Sequence, residues 1–416
     1  MSAKTVVVVG GGVIGAMSAW NLAEAGCDVT ILDRDKFGAA CSHGNCGYVS
    51  PSHVLPLTRP GAIKETMSSM LKSNSPFAIK PRFSLSSLSW FWNFSRRCNQ
   101  SDMLAAAVGR NEMLQSSKRL YQELIEKENI ECEWQERGLL FVHNNKRDFD
   151  AYAQTNDLII KHFGVSATPY DGNQLIELEP ALKPGLGGAW HYECDCHLRP
   201  DKLLTEMRSR LESRGVTIRE SFPVERFVQE GSTARCVSGK GQSVDADLFL
   251  VAMGAWTPFL NKHLGCRIPI EPGKGYSLTM PTPERIPRIP MVFEQDHVAI
   301  TPMETKYRIG STMEFVGYDT SINPKRLRLL KNAAEKYLHE PYCDPIEEKW
   351  YGWRPMTWDG KPILDRSPKM KNVWIAAGHN MLGLSMATGT GRLIREMMLG
   401  EEPHLDPAHF SLSRFA

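Results

Sequence analysis

The stretch from Thr5 to Asp33 constrains the fold most, because it reads as one unit of strand, tight turn, helix and strand. It begins with TVVVV, an apolar β-branched run suited to a strand that is buried on both faces. Glycines follow in G-x-G-x-x-G spacing, where Gly10 permits the turn, Gly12 leaves room for a pyrophosphate and Gly15 lets the helix pack closely. The pattern predicts a bound dinucleotide with its phosphates at a positive helix end.

Asp33 ends the second strand of this unit, where an acid can accept a hydrogen bond from a ribose hydroxyl. An ordinary structural turn is the alternative, since glycine-rich turns are common. The uncharged run from Thr5 to Leu22 is also long enough to suggest a membrane span, but the polar Ser18 and Asn21 favour a buried strand and helix. The candidate cofactor contacts of the unit are Gly10, Gly12, Val13, Ile14, Gly15 and Asp33.

Composition favours a small-molecule partner. The 416 residues suggest about two domains, and 49 basic against 47 acidic residues give a net charge of only +2. No basic block marks a nucleic-acid surface. Ten scattered cysteines without a secretory leader indicate reduced thiols in the cytoplasm. Cys194 and Cys196 form a C-x-C, but no second cysteine pair has zinc-site spacing, so no metal is expected.

A polar loop, CSHGNCGYVSP, follows the first unit at residues 41–51. It lies where an extended cofactor would run. Ser42, Asn45 and the backbone around Gly47 are candidate hydrogen-bond partners of phosphate or ring oxygens. Ordinary turn residues are the alternative interpretation.

The segment from Gly61 to Cys98 has a helical pattern and is unusually aromatic. An interfacial membrane helix with basic anchors is one interpretation. A stripe packed against the core is favoured, because any core-facing helix needs this spacing. The residues concerned are Leu85, Leu88, Phe91 and Trp92, followed by Arg96 and Arg97.

The chain returns to the nucleotide-binding layer with DLFLVAM, residues 247–253, which predicts another buried parallel strand. Ala252 ends this run, and Gly254 and Trp256 follow it, where the backbone can approach a ligand. Val224 is interpreted as a contact to an adenine ring, with a core position as the alternative.

A second glycine-rich junction, GHNMLGLSMATGTG, follows a predicted strand at residues 373–376 and precedes a helix that runs to Leu399. The helix start near Leu384 and Ser385 can donate to a developing negative charge on a ligand ring. Before it, alternating segments at 275–280, 297–301 and 307–310 predict an antiparallel sheet, with a helix over 324–338 beside it.

Taken in order, these motifs resemble the flavin-dependent D-amino acid oxidase superfamily, and most closely its bacterial D-amino acid dehydrogenases of the small-subunit type. The resemblance covers nearly the whole chain. It rests on the first glycine motif, CSHGNCGYVSP, KPRFSLSSLSWFWNF, DLFLVAMGAW, GWRPMTWDGKPI and GHNMLGLSMATGTGRL. It implies an α/β fold in which a Rossmann-type FAD domain like that of glutathione reductase is interleaved with an α+β substrate domain. The expected FAD domain comprises residues 1–60, 185–265 and 345–416, and the substrate domain residues 61–184 and 266–344.

Matching positions imply site residues. Arg354 in GWRP stands where relatives hold a substrate carboxylate, and an arginine fork suits that task, although a structural arginine is the alternative. Tyr276 is expected to add a hydrogen bond and His379 to lie beside the flavin turn, with core and turn roles as alternatives. The implied FAD contacts are Gly10, Gly12, Val13, Ile14, Gly15, Asp33, Arg34, Ser42, Asn45, Gly47, Val224, Ala252, Gly254, Trp256, Gly378, Leu382, Gly383, Leu384 and Ser385.

The implied reaction is hydride transfer from the α-carbon of a D-amino or imino acid to flavin N5, with D-hydroxyproline or D-proline suggested by the GLSM form of the turn. An oxidase or dehydrogenase of glycine, sarcosine or proline is the near alternative, and a non-catalytic nucleotide-binding sensor the distant one. The resemblance also implies a quinone or respiratory-chain acceptor and a cytoplasmic protein that can contact the inner face of the cell membrane. No nucleic-acid partner is expected.

Overall fold

The computed structural model of the chain describes residues 3–70, 75, 77–80 and 84–415. Within these residues no helix has both the length and the apolar character needed to cross a bilayer. The strands are β1 Thr5–Val9, β2 Asp28–Leu32, β3 Tyr48–Val49, β4 Phe77–Ile79, β5 Leu139–His143, β6 Thr168–Asp171, β7 Gly188–Tyr192, β8 Cys196–His197, β9 Thr217–Arg219, β10 Arg226–Glu230, β11 Thr233–Gly239, β12 Gln242–Asp245, β13 Leu248–Val251, β14 Ile270–Pro281, β15 Met291–Phe293, β16 Val298–Pro302, β17 Lys306–Phe315, β18 Glu348–Thr357, β19 Ile363–Arg366 and β20 Val373–Ala377. The α-helices are α1 Val13–Glu24, α2 Ala62–Met70, α3 Leu85–Arg96, α4 Gln100–Glu128, α5 Lys146–Phe163, α6 Gly172–Leu178, α7 Pro200–Ser213, α8 Asn261–Leu264, α9 Pro324–Tyr337 and α10 Ala387–Leu399.

The first sheet has the strand order β19-β20-β13-β1-β2-β9 and is parallel except for β19. Its centre is β1, which pairs with β2 on one side and β13 on the other. Val6 and Val8 face the core beneath α1 and α10, whereas Val7 and Val9 face the core beneath the small sheet β10-β11-β12. Burial on both faces explains why β1 is apolar at every position rather than at alternate ones.

The turn from β1 to α1 depends on two glycines. Gly10 has φ +111°, a conformation that L side chains rarely adopt. A Cβ on Gly15 would lie 1.8 Å from the carbonyl oxygen of Gly10, so the close approach of helix and strand requires glycine there. On the other side of α1, a Cβ on Gly391 of α10 would lie 2.5 Å from the carbonyl oxygen of Met17, so the two helices also pack closely.

The second sheet has the order β18-β14-β17-β16-β15-β5-β7-β6, and β4 also pairs with β17. Most of its pairs are antiparallel, as the alternating segments predicted. β7 and β18 belong to this sheet, although the predicted division placed residues 185–265 and 345–416 in the FAD domain. The division of the chain between the two sheets therefore differs from the predicted domain boundaries. The pairing of β18 with β14 along ten residues places β18 in the second sheet.

α3 differs from the favoured interpretation of its sequence. Leu85, Leu88 and Trp92 are 87%, 59% and 67% exposed, so they are not a core stripe. The helix packs through its other face, where Trp90 and the half-buried Phe94 contact Met313, Phe315 and Met356. Part of the KPRFSLSSLSWFWNF motif, residues 81–83, lies outside the described residues.

Arg308 on β17 holds the cofactor loop against the second sheet. Its side chain is buried, and Nη1 donates to the carbonyl oxygens of His43 at 3.1 Å and Asn45 at 2.7 Å. Nε donates to Thr279 Oγ1 at 3.0 Å. Burial lowers the pKa of Arg308, and the carboxylates of Asp201 and Glu348 lie 3.9 Å away. The side chain of Arg308 thus holds the cofactor loop against the second sheet.

Replacing Arg308 with methionine should lower the free energy of unfolding by about 2–4 kcal/mol, because two buried carbonyls lose their donor. Arg328→Met, at an exposed arginine, is the matched control and should change it by less than about 0.5 kcal/mol. Chemical denaturation measures both values. Equal free energies of unfolding for the two variants would show that the hydrogen bonds of Arg308 do not stabilise the protein.

Candidate active site

A long cleft that is open to solvent runs between the two sheets. It begins at the turn after β1, passes the ends of β2 and β13, and reaches β18 and the turn before α10. The carboxyl ends of parallel strands form a common crevice for ligands in open α/β sheets. The cleft occupies that position.

The cleft brings together most of the residues predicted for a cofactor and a substrate. They come from seven separate stretches of the chain. The predicted residues that line it are Gly10, Gly12, Val13, Ile14, Asp33, Arg34, Ser42, Asn45, Val224, Ala252, Gly254, Trp256, Arg354, His379, Gly383 and Leu384.

Five predicted cofactor residues do not line the cleft but support its walls. Gly15 allows the close packing of α1, and Gly47 donates its N–H to Asn45 Oδ1 at 2.8 Å. Gly378 has φ +73° and packs against Thr357, and Leu382 donates its N–H to the carbonyl of His379. Ser385 Oγ donates to the carbonyl oxygen of Tyr48 at 2.7 Å, and so ties the C-terminal turn to the cofactor loop.

At the turn between β1 and α1, the cleft is lined by backbone N–H groups and by the carboxyl group of Asp33. Among the described residues, no acceptor pairs with the N–H groups of Gly12 and Ile14 at the start of α1. A Cβ on Gly12 would meet only Ser42 Oγ, at 3.5 Å, so the space over it is open. Asp33 accepts from the N–H of Gly11 at 2.7 Å, and burial raises the pKa of its carboxyl. Open space and free N–H groups at a helix start suit a pyrophosphate, and the acid suits a ribose.

A cation and an indole form the adjoining wall. The guanidinium of Arg34 lies 3.8 Å from the ring centroid of Trp256. Trp256 in turn contacts the ring of Trp353 edge-on, with centroids 5.4 Å apart. Val224 lies on the same cleft beside Phe222. These apolar and aromatic groups suit a planar base such as adenine.

The turn before α10 forms the other end of the cleft. His379 is buried, its Nε2 lies 3.0 Å from Thr390 Oγ1, and burial lowers its pKa to about 3. The imidazole is therefore neutral at physiological pH. In the part of the chain that the structure describes, the N–H groups of Gly383 and Leu384 have no acceptor. They can donate to a ligand, although α10 itself begins at Ala387, two to three residues after the predicted start near Leu384 and Ser385.

Arg354 projects from β18 into the middle of the cleft. Nη1 donates to the carbonyl oxygen of Thr312 at 2.9 Å and Nη2 to Ser311 Oγ at 2.8 Å. No carboxylate of the described residues lies within 4.0 Å of the guanidinium, and burial lowers its pKa. Gly275 makes room for it, since a Cβ there would lie 2.3 Å from Nη1. A half-buried cation held by neutral acceptors is suited to an anionic ligand.

Tyr276 does not face the cleft, contrary to expectation. Its hydroxyl donates to Glu314, which also pairs with Arg326 at 3.0 Å, and the ring packs beneath α9. Successive residues of a strand face opposite sides of the sheet. In β14 the residue after it, Ser277, faces the cofactor loop and donates to the carbonyl of Gly44, so Tyr276 must face away.

Several residues of the cleft were missed by sequence reasoning. Cys41 opens the cofactor loop, and its Sγ lies 3.0 Å from the carbonyl oxygen of Trp353. Asn380 and Met381 lie in the turn before α10 and also line the cleft. Adjacency to predicted residues was the available signal, since each of the three lies within a quoted motif. Cys194 and Cys196 are free thiols, and no metal-binding cluster occurs among residues 3–70, 75, 77–80 and 84–415.

Comparison with solved structures shows the same fold in several enzymes. Glycine oxidase from Geobacillus kaustophilus has a TM-score of 0.81 and 21% sequence identity, over 100% of this chain and 99% of that one. L-proline dehydrogenase from P. horikoshii has a TM-score of 0.73 and 19% identity, over 100% and 98%. L-α-glycerophosphate oxidase from Mycoplasma pneumoniae, a structure with FAD bound, has a TM-score of 0.72 and 15% identity, over 98% and 97%.

A family model described as FAD dependent oxidoreductase, DAO, matches residues 5–397. The match spans both sheets, the cofactor loop and the turn before α10. The predicted α/β fold and the predicted cofactor are confirmed. The chain belongs to the DAO family of FAD-dependent oxidoreductases, and its cofactor is FAD.

Proposed function

We propose that FAD lies extended along the cleft. The open space over Gly12 and the free N–H groups at the start of α1 support a pyrophosphate there, with Asp33 beside the ribose. Val224 and Trp256 support adenine at one end. The free N–H groups of Gly383 and Leu384 support the flavin ring at the other end, near Arg354, where they would stabilise negative charge on the reduced ring.

The unpaired guanidinium of Arg354 carries the proposal for the substrate. A charge that is partly buried without a carboxylate partner is costly, and a substrate carboxylate would offset that cost by a bidentate pair. Gly275, on the strand beside β18, leaves the side chain its space. The substrate is therefore a small carboxylic acid held with its α-carbon toward the flavin end of the cleft.

The proposed reaction is oxidation of the bond between the α-carbon and nitrogen of an amino or imino acid. FAD, when bound, accepts the hydride. The chain supplies orientation through Arg354 and a wall that excludes water, formed by Trp353 and Met381. His379 acts as a neutral group, since burial lowers its pKa to about 3. No strong base is required if the amine enters uncharged.

Among such enzymes, a D-amino acid dehydrogenase is the first candidate, with D-hydroxyproline or D-proline as substrate. The GLSM turn supports it, as does the resemblance of the whole chain. The acceptor proposed is a quinone or another respiratory-chain component. Structures of similar fold include an oxidase of glycine and a dehydrogenase of L-proline, so an amine oxidase of that type is the second candidate.

An anaerobic screen tests the function directly. The yellow holoenzyme should lose its oxidised-flavin absorbance with one group of D-amino or imino acids, and we expect both hydroxyproline epimers to be distinguished. In air, hydrogen peroxide would indicate the oxidase, and turnover only with an added quinone or dye the dehydrogenase. Flavin that no amino or imino acid bleaches would contradict the proposal and favour a non-catalytic role.

Gly12→Ala should weaken FAD binding at least about tenfold, because the new methyl group would occupy the proposed pyrophosphate space. The protein itself tolerates the methyl group, so the variant should keep the circular dichroism and unfolding midpoint of the apoprotein. Gly15→Ala is the contrast, since its Cβ would collide with the carbonyl of Gly10 and should destabilise the fold itself. Full FAD content in Gly12→Ala would refute the assigned position.

Arg354→Met should raise KM by about a hundredfold or more while FAD content stays unchanged, because a charge-assisted pair is lost. Gly275→Ala keeps the charge but displaces the guanidinium, and it should raise KM by a smaller factor. Arg366→Met, at an exposed arginine on β19, is the control and should leave KM unchanged. Steady-state kinetics with the best substrate measure KM for each variant. An unchanged KM in Arg354→Met would exclude a contact between Arg354 and a substrate carboxylate.

A further inference from the structure

The outer stripe of α3, formed by Leu85, Leu88, Trp92 and Arg96, has no role in the site described above. The first three side chains are more than half exposed, and Arg96 is exposed at the end of the helix. Their spacing of three, four and four residues places them along one side of the helix over about 16 Å. Three large apolar groups exposed in one row mark a surface for interaction.

Packing does not require the outer stripe, because the opposite face of α3 already holds the helix in place. Trp90 is 4% exposed, and its Nε1 donates to the carbonyl oxygen of Met356 at 3.0 Å. Its ring stacks on that of Phe94 with centroids 5.3 Å apart, and both lie in a cluster with Met313 and Phe315. Asn99 and Ser84 cap the helices at either end of this region. The side chains of the outer stripe are therefore not needed for the packing of α3.

The stretch of sequence that includes α3 is basic. The segment from residue 61 to residue 100 contains six lysines and arginines and one glutamate, whereas the whole chain has a net charge of only +2. In the described part of the chain, no carboxylate lies within 4.0 Å of the Arg96 side chain, and Lys64 and Lys80 are exposed. The single acid, Glu65, pairs with Arg59 at 2.6 Å.

We propose that the outer stripe of α3 docks the protein on the headgroup layer of an anionic lipid bilayer. Leu85 and Leu88 enter the boundary of the acyl chains, the amphipathic ring of Trp92 lies at the headgroup level, and Arg96 contacts lipid phosphate. A second copy of this chain fits the surface less well, because a two-fold contact would bring two segments of excess positive charge together.

Docking would place the cleft close to the membrane. The cluster beneath α3 includes Met356 on β18 and the half-buried Met381, and Met381 lines the cleft at its flavin end. The inner face of the helix thus packs in a cluster that adjoins the cleft, and the outer face would meet lipid.

Vesicle co-sedimentation of the holoenzyme tests the proposal, with phosphatidylcholine vesicles that contain or lack phosphatidylglycerol. The protein should bind the anionic vesicles, and the double variant Leu88→Ser and Trp92→Ser should bind at least about tenfold more weakly. Arg96→Gln should weaken binding about fivefold at low salt. Ile160→Ser, at an exposed apolar residue of α5, is the matched control and should bind as the unchanged protein does.

Three results would overturn the proposal. They are holoenzyme that stays in the supernatant with both vesicles, a double variant that binds as well as the unchanged protein, and a lipid-free dimer that the double variant dissociates. FAD content and circular dichroism verify that each variant is folded. If the double variant has lost FAD, Leu85→Ser replaces it, and the same weakening is required of that variant because Leu85 is 87% exposed.

Discussion

A buried arginine, Arg308, ties the cofactor loop to the second sheet, and the rest of the site depends on that contact. The cofactor loop makes no regular strand over residues 41–47, so its carbonyls need a partner other than a neighbouring strand. Arg308 supplies two donors to that loop from the middle of β17. The loop then holds Ser42 against the start of α1 at 3.1 Å, and the cleft is defined on both sides.

The two ends of the cleft and its middle offer different polar and charged groups to a ligand. One end offers N–H groups at the start of α1, suited to phosphate, and the other offers N–H groups at Gly383 and Leu384. Between them Arg354 is a cation without a carboxylate partner among the described residues. Neutral His379 adds no competing charge. A long ligand can place its phosphates at the start of α1 and a ring at Gly383 and Leu384, and a small acid can reach Arg354.

The local sequence pattern was enough to predict much of the first sheet and of the cleft. The run before Gly10, the glycine spacing and Asp33 predicted the first sheet and one wall of the cleft, because local sequence determines a strand, turn and helix. Tyr276 was misplaced, because its side depends on the register of β14, which no local pattern reveals. Leu88 and Trp92 were assigned to a core, since periodicity identifies an apolar face but not what covers it. Pairing of β18 with β14 likewise depends on distant residues.

The order of the first sheet has a consequence for biosynthesis. β13 lies between β1 and β20, and α10 packs against α1, so elements that are far apart in the sequence, and are synthesised at different times, are neighbours. A nascent chain that lacks β20 and α10 exposes one side of β13 and the apolar surface of α1. The coenzyme can be held at both ends only after the chain up to α10 has been synthesised, and until then these apolar surfaces favour aggregation.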